Sequence, residues 1–415
     1  MNFWKTSFWA VLAAMARLAA QFVVAKLIAV FGTPATFGII GQFQSFVSLV
    51  QVGAGGVICS GITKYAAEYH AEPERLTELS RTAFKFGLYA SGAVGLVIVV
   101  FAKPLSMWVF QSDQYWLVLA VFGLTVFGYT LNQMVLSLLN GLNEMKKYAS
   151  LALVGAVLSV VLIATFGYVY STKGVLLAFS LSQLILLGVA IFFMRRLSFS
   201  ARFWRQPLNA PLLKKLLIFS LMSLASILAA PSAQLLLRNY VATYSSWEVV
   251  GYWQAMTRIS DGYLMLITMV ISTYALPQYA RISDKQVLCA EVLYLLKRLV
   301  PIVAVCAVLI FLVRKWVILT LFSAQFLTIQ NLFLFQLLGD VFKIASWVIA
   351  NVLVAHAQIK TFIVLELSGI LSFMALSMVF FRYFGLPGLP MAFCLNYFCF
   401  FSVTAIWFWF YVKKG

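Results

Sequence analysis

Four basic residues lie inside long apolar stretches of this 415-residue chain: Arg17, Lys26, Arg258 and Lys343. A Lys or Arg at the centre of a membrane-spanning helix costs about 2.5–3.5 kcal/mol on insertion scales, so such residues usually serve a function. Arg17 has no acidic residue within one helical turn. Lys26 lies close to the end of its stretch, where snorkelling to the membrane surface is the alternative. The four cations predict a site for an anionic group inside a membrane.

Three acidic residues accompany these cations. Arg258 and Asp261 are spaced i, i+3, as are Asp340 and Lys343, so one interpretation is an ion pair on each helix face. The other is that both pairs line a hydrated cavity, where the acids couple transport to a proton or a cation. Glu366 lies about two turns into a later apolar stretch and has the same two alternatives, ion coupling or a salt bridge.

Polar side chains are also concentrated in the second apolar stretch. Gln42, Gln44 and Gln51 lie there together with Gly53 and Gly55. Amide side chains suit contacts with sugar hydroxyl groups, whereas small residues favour tight helix packing in membranes. The stretch therefore predicts either a sugar-contacting face or a closely packed helix.

The elements that must position these residues are apolar helices. Hydrophobic residues make up 63% of the chain and charged residues 10%, and the mean hydropathy is +0.97. A spanning helix needs about 20 apolar residues, whereas a barrel strand shows about 10 with alternating polarity, a pattern that does not fit these long runs. We predict an all-α polytopic membrane protein with twelve spans. Their approximate bounds are 8–30, 37–62, 83–102, 115–140, 148–170, 174–194, 212–236, 249–276, 294–313, 330–354, 361–382 and 386–412.

Basic residues in the connections predict the orientation, because cytoplasmic loops are rich in Lys and Arg. Of the 30 basic residues, 20 fall at one set of helix ends, 6 at the other and 4 inside the spans, which places both termini in the cytoplasm. Arg238 is assigned to an outer connection. The net charge of +18 reflects this topology, and no soluble segment is long enough for a nucleic-acid-binding domain.

The chain consists of two related halves of six spans each, predicted as residues 1–200 and 201–415. Landmarks recur at a nearly constant offset in the two halves. The matches are Gly38 with Gly251 (251 − 38 = 213), Tyr65 with Tyr279 (279 − 65 = 214) and Gly174 with Gly388 (388 − 174 = 214). An even number of spans in each half gives parallel repeats, an arrangement typical of transporters that bind substrate between the halves and expose it alternately to each side.

Other chemistry is disfavoured by the sequence. There is no GxxxxGK[ST] phosphate loop, and the two histidines, His70 and His356, are far apart. The five cysteines form no CxxC pair. The outer loops are too short and too poor in acids for a catalytic site. We therefore expect a protein that is not an enzyme, with no metal, cofactor or catalytic residues.

Several short motifs resemble those of one family of transporters. They are Ile259-Ser260-Asp261-Gly262-Tyr263-Leu264, Leu276-Pro277, Gly339-Asp340-Val341-Phe342-Lys343 and Gly61-Ile62-Thr63-Lys64-Tyr65. In this order, and with twelve spans and the early charges Arg17 and Lys26, they resemble the Wzx-type flippases of O-antigen and enterobacterial common antigen. Arg17, Lys26, Asp340 and Lys343 match charged positions of the family pattern, whereas Arg258 has no counterpart in it.

The resemblance implies two six-helix bundles around a V-shaped cleft in the bacterial inner membrane. It also implies that undecaprenyl-pyrophosphate-linked oligosaccharide, an O-antigen-type repeat unit, moves from the cytoplasmic to the periplasmic leaflet. The implied partners are this glycolipid, membrane lipids and, beside a monomeric flippase, an O-antigen polymerase and a chain-length regulator. The alternatives are a cation-coupled drug exporter of the same superfamily, a polytopic polymerase or ligase, and a structural scaffold.

Overall fold

Helices form nearly all of the chain in a computed structural model, which describes residues 3–193 and 206–413. The side chains of 3–13, 17, 193, 221–223, 225 and 226 are outside this description. The α-helices are α1 (Phe3–Phe31), α2 (Pro34–Gly53), α3 (Cys59–Glu68), α4 (Pro73–Val100), α5 (Ala102–Phe110), α6 (Trp116–Gly141), α7 (Met145–Phe193), α8 (Ala210–Tyr244), α9 (Trp247–Val270), α10 (Leu276–Arg281), α11 (Lys285–Leu321), α12 (Phe333–Ala355), α13 (Ile359–Phe384) and α14 (Gly388–Lys413). Between residues 3–193 and 206–413 no β-strand occurs, which confirms the all-α prediction.

Each of the twelve predicted spans overlaps at least one helix. Ten helical segments of the described chain are long and apolar enough to cross a membrane, and one of them, Met145–Phe192, covers two predicted spans. The chain turns inside this segment at Ser171, whose φ of 49° and ψ of −130° are not helical. The seventh predicted span lies in α8, which is 35 residues long. The protein is therefore a multi-pass membrane protein.

The second predicted span is not one continuous helix. It breaks after α2, where Gly55 adopts a φ of 105° and a short 3-10 turn, Gly56–Ile58, leads into α3. A side chain at residue 55 would be strained at this φ, and its Cβ would lie 3.3 Å from the Cα of Gly87. The predicted span 37–62 therefore consists of two helices, α2 and α3, joined through Gly55.

The helices fold into two compact units. The first comprises Met1–Thr33 and Ile39–Leu235, and the second comprises Pro34–Gly38 and Leu236–Gly415. The predicted boundary between residues 200 and 201 lies outside the described residues.

Equivalent packing in the two units shows the internal duplication. A Cβ added at Gly155 would lie 2.9 Å from the Leu186 side chain, and one added at Gly369 would lie 3.1 Å from the Phe400 side chain. These two pairs differ by the same offset (369 − 155 = 214 and 400 − 186 = 214). Gly174 and Gly388 are likewise placed directly against the carbonyl oxygens of Phe166 and Phe380. The offset predicted from sequence is thus confirmed by packing.

Close packing of α12 against α14 shapes the second unit. A Cβ at Gly339 would lie only 2.5 Å from the Phe393 ring, so glycine lets the two helices approach at this point. Small residues have this role in membranes, where lipid is as apolar as the side chains and association depends on close contact. On the opposite side of α12, Ile344 and Val348 pack in a buried cluster with Leu264 of α9.

Candidate functional site

A group of polar and charged residues lies where α9 and α12 face each other in the second unit. Gln336, Asp340 and Lys343 follow one another on α12 at spacings of four and three residues, which places them along one helix face. Ser260 and Tyr263 are spaced in the same way on α9. The otherwise apolar helices thus present two polar faces to each other.

Asp340 lies at the centre of this group and is fully buried. Its Oδ2 accepts hydrogen bonds from the Ser260 hydroxyl and, at 2.7 Å, from the Tyr263 hydroxyl. The Gln336 amide donates to the Ser260 oxygen at 3.2 Å. Among the described residues, neither Asp340 Oδ1 nor Gln336 Oε1 has a hydrogen-bond partner, although both atoms are buried. Buried acceptors are costly to leave without a donor.

Lys343 lies one turn beyond Asp340, and its Nζ is 3.6 Å from Asp261 Oδ1. The ammonium also faces the rings of Trp347, Phe393 and Tyr397, at 5.6, 5.8 and 5.7 Å from their centroids. A cation within about 6 Å of an aromatic face is attracted by the ring quadrupole. The aromatic side chains therefore help to hold a charge that would otherwise be poorly solvated.

The partner of Lys343 differs from the one that sequence spacing suggests. The i, i+3 alternative pairs it with Asp340 on the same helix, whereas the ion pair joins α12 to Asp261 on α9. Asp340 instead accepts hydrogen bonds from the hydroxyl groups of Ser260 and Tyr263. The side chain of Asp261 is 70% exposed and that of Lys343 is 14% exposed, so one member of the pair is open and the other is enclosed.

Arg238 is a member of the site that the sequence did not predict. Its assignment to an outer connection is wrong because α8 continues to Tyr244, and Arg238 is only 5% exposed. Its Nη2 donates to Gln254 Oε1 on α9 at 2.5 Å. Arg258 lies one turn after Gln254, close enough for the two guanidinium groups to repel each other, and Asp261 attracts both.

The charges of this cluster do not cancel. When all are ionised, Arg238, Arg258 and Lys343 supply three positive charges, and Asp261 and Asp340 supply two negative charges, so the balance is 3 − 2 = +1. Several arginine and lysine donors near one another in a region of low dielectric favour an anion that can bind more than one of them. The cluster therefore carries a net positive charge within the second unit.

The other predicted site residues lie elsewhere. The Arg17 side chain is outside the described residues, and Lys26 is half-buried on α1 in the first unit. Glu366 lies on α13 and lines a cavity of about 280 Å³ together with Trp347 and Asn351. The roles of these three residues stay predictions.

The glutamines of α2 have different surroundings. Gln42 is fully buried, and its Nε2 donates to the carbonyl oxygens of Val109 at 3.0 Å and Leu235 at 3.2 Å. This geometry ties three helices together, and it is a structural role rather than a sugar contact. Gln44 and Gln51 are half-buried and stay predictions as sugar contacts.

The fold is that of the transporters of the MOP superfamily. An inward-facing multidrug resistance MATE family transporter of that superfamily superimposes with a TM-score of 0.77 over 97% of this chain and 98% of its own, at 16% identity. A MOP superfamily transporter from Pyrococcus furiosus, described as having a binding pocket of reverse polarity, superimposes with a TM-score of 0.67 over 98% of this chain and 95% of its own, at 15% identity.

Sequence similarity defines the family more closely. The model of the polysaccharide biosynthesis protein family matches residues 23–331. Proteins named Lipid III flippase from Escherichia coli K12 and Shigella flexneri are each 30% identical over 408 residues, which is 97% of this chain and 97% of theirs. The chain belongs to this family of polysaccharide biosynthesis proteins. Its named relatives are flippases, which confirms the predicted resemblance and the prediction of transport rather than catalysis.

Proposed function

We propose that this protein is a flippase for undecaprenyl-pyrophosphate-linked oligosaccharide of the O-antigen type. It moves the glycolipid from the cytoplasmic to the periplasmic leaflet of the bacterial inner membrane by alternating access, with both termini in the cytoplasm. The observation that carries this proposal is the cluster of buried Arg238 with half-buried Arg258 and Lys343 in a chain related to named flippases.

The chemistry of a pyrophosphate explains why such a cluster is useful. Its multiple negative charges lose hydration when they enter the membrane, and fixed cations offset that loss. Arginine supplies a planar fork that matches phosphate oxygens, and lysine supplies a point charge. Arg258 and Lys343 contact the pyrophosphate in this proposal, with Arg238 beside them and with Arg17 and Lys26 as the cations of the first unit.

Asp340 is our proposed coupling residue. Its Oδ1 is buried without a hydrogen-bond partner in the described structure, and the nearby Gln336 has an unpartnered oxygen as well. A proton or a monovalent cation bound here would satisfy these acceptors, and its loss would change the contact between α9 and α12. Coupling to an ion gradient follows when the two states differ in their affinity for the substrate. Asp261 and Glu366 are the alternative coupling residues.

The remaining parts of the proposal concern the glycan and the partners. Gln44 and Gln51 are the proposed sugar contacts on α2. The flippase acts as a monomer and delivers its product to an O-antigen polymerase and a chain-length regulator. A cation-coupled drug exporter is the competing function, and it would favour a site in which acids outnumber bases, whereas this cluster has three cations and two acids.

Reconstitution of the full chain in proteoliposomes tests the proposal. A fluorescent undecaprenyl-pyrophosphate glycan is placed in the liposomes, and its movement between leaflets is followed by quenching from outside. We expect transfer with wild type and loss of it in Arg258→Gln and Lys343→Gln. Lys315→Gln is the matched control because Lys315 is exposed on α11. Equal transfer by both site variants and the control would remove the proposed anion site.

A further inference from the structure

A cavity lies beside the C-terminal end of α8, just beyond Arg238. This cavity of about 320 Å³ lies between the last turns of α8 and α13, and its lining includes Tyr240, Tyr244, Ser245, Phe381, Arg382 and Gly385. These residues are separate from the cluster around Asp340 and play no part in the proposed function. We propose that this cavity binds the phosphate headgroup of an anionic membrane lipid.

Arg382 supplies the charge for this ligand. It is exposed in the last turn of α13, and the described residues lining the cavity contain one cation and no carboxylate. A guanidinium group binds phosphate through two parallel hydrogen bonds. The chain beside it leaves space, because Gly385 has a φ of 62° and no heavy atom lies within 4 Å of a Cβ added there.

The tyrosines supply hydroxyl groups and an amphipathic wall. The Tyr240 and Tyr244 rings are 4.6 Å apart, and the Tyr240 ring contacts Phe381 at 6.3 Å. Tyr244 is 72% exposed. Tyrosine is enriched where membrane meets water because its ring is apolar and its hydroxyl is polar. The wall therefore suits a molecule whose head is charged and whose tail is apolar.

The duplication relates two residues of this cavity to positions in the first unit. The positions equivalent to Tyr240 and Arg382 in the first unit are Lys26 (240 − 214 = 26) and Tyr168 (382 − 214 = 168). Each unit thus has one cation and one tyrosine at these two positions, with the residue types exchanged. Tyr168 also contacts an aromatic neighbour, Phe31, at 6.1 Å between ring centroids.

Lipid titration of the purified full chain tests this site. Phosphatidylglycerol is added in detergent, and retained lipid is counted by native mass spectrometry. We expect Arg382→Gln to raise the Kd for phosphatidylglycerol about tenfold, because one charge-assisted contact is lost. Arg382→Lys keeps the charge but loses the planar guanidinium group, so its Kd should lie between those of Arg382→Gln and wild type. Arg314→Gln on α11 is the matched control and should bind as wild type does.

The source of the phosphate is separated by competition. Undecaprenyl pyrophosphate without sugar is added to the phosphatidylglycerol complex; displacement assigns the site to the carrier lipid, and persistence assigns it to phospholipid. Either outcome supports a site for a lipid phosphate in this cavity. Wild-type affinity in Arg382→Gln, with an unchanged elution volume and unfolding temperature, would overturn it. Binding needs no transport, so a failed flippase assay would leave this result intact.

Discussion

The Nζ of Lys343 lies 3.6 Å from Oδ1 of Asp261, so an ion pair joins α12 to α9. Lys343 is enclosed by aromatic rings, whereas the side chain of Asp261 is mostly exposed. In the proposed function, an arriving anion competes with Asp261 for Lys343. On that proposal, the pair holds the cation in place until a stronger anion binds.

This relationship predicts different effects on stability and on transport. Because Asp261 is largely exposed, its contact with Lys343 should contribute only about 0.2–1 kcal/mol to folding stability. A double-mutant cycle with Asp261→Asn and Lys343→Met, followed by denaturation in detergent, measures that coupling. Transport should fall at least tenfold in Lys343→Met and much less in Asp261→Asn. Equal losses in the two single variants would show that the pair itself, rather than the cation, is required.

Asp340 gives a prediction about the coupling ion. Asp340→Asn keeps the shape of the side chain and removes its charge, so transport should lose its dependence on an imposed proton or sodium gradient while binding of the glycolipid remains. Leaflet transfer is measured with and without each gradient. Asp261→Asn is the control carboxylate and should keep the dependence. Transport by Asp340→Asn that still responds to the gradient would exclude Asp340 as the coupling residue.

The hydroxyl partners of Asp340 are predicted to matter for folding. Ser260→Ala removes one donor to a buried carboxylate, and a lost hydrogen bond to a charged group costs about 1.5–3 kcal/mol. Tyr263→Phe removes the other donor and should cost a similar amount. Thermal unfolding in detergent reports both losses. Ser272→Ala is the control, because the exposed Ser272 hydroxyl donates to backbone carbonyls of the preceding turn, Thr268 and Met269, in the helical segment that follows α9. Wild-type stability in both site variants would indicate that Asp340 is protonated and does not need the two donors.

The helices were predictable because apolar runs of sufficient length recur along the chain, whereas single-residue geometry was not. Nothing in the run of glycines from 41 to 61 marks Gly55 as the one with positive φ. Arg238 was missed because the seventh span was ended at residue 236, whereas α8 continues to Tyr244. The partner of Lys343 depends on the register of two helices, and that register is fixed by close packing at positions distant in sequence. Same-helix spacing does not contain this information.

Packing of α12 against α14 gives the last prediction. Gly339→Ala places a Cβ 2.5 Å from the Phe393 ring, so the helices must separate or the ring must move, at a cost of about 1–3 kcal/mol. The shift also moves Lys343, one turn away, relative to the rings that face it.

Gly92→Ala is the matched control. Gly92 lies within α4 with no heavy atom within 4 Å of an added Cβ, and alanine favours a helix over glycine by about 0.5–1 kcal/mol. The unfolding temperature should therefore fall for Gly339→Ala and stay level or rise for Gly92→Ala. Transport should decrease only in the first variant. A stable Gly339→Ala variant with full transport would show that Phe393 can move without disturbing the site.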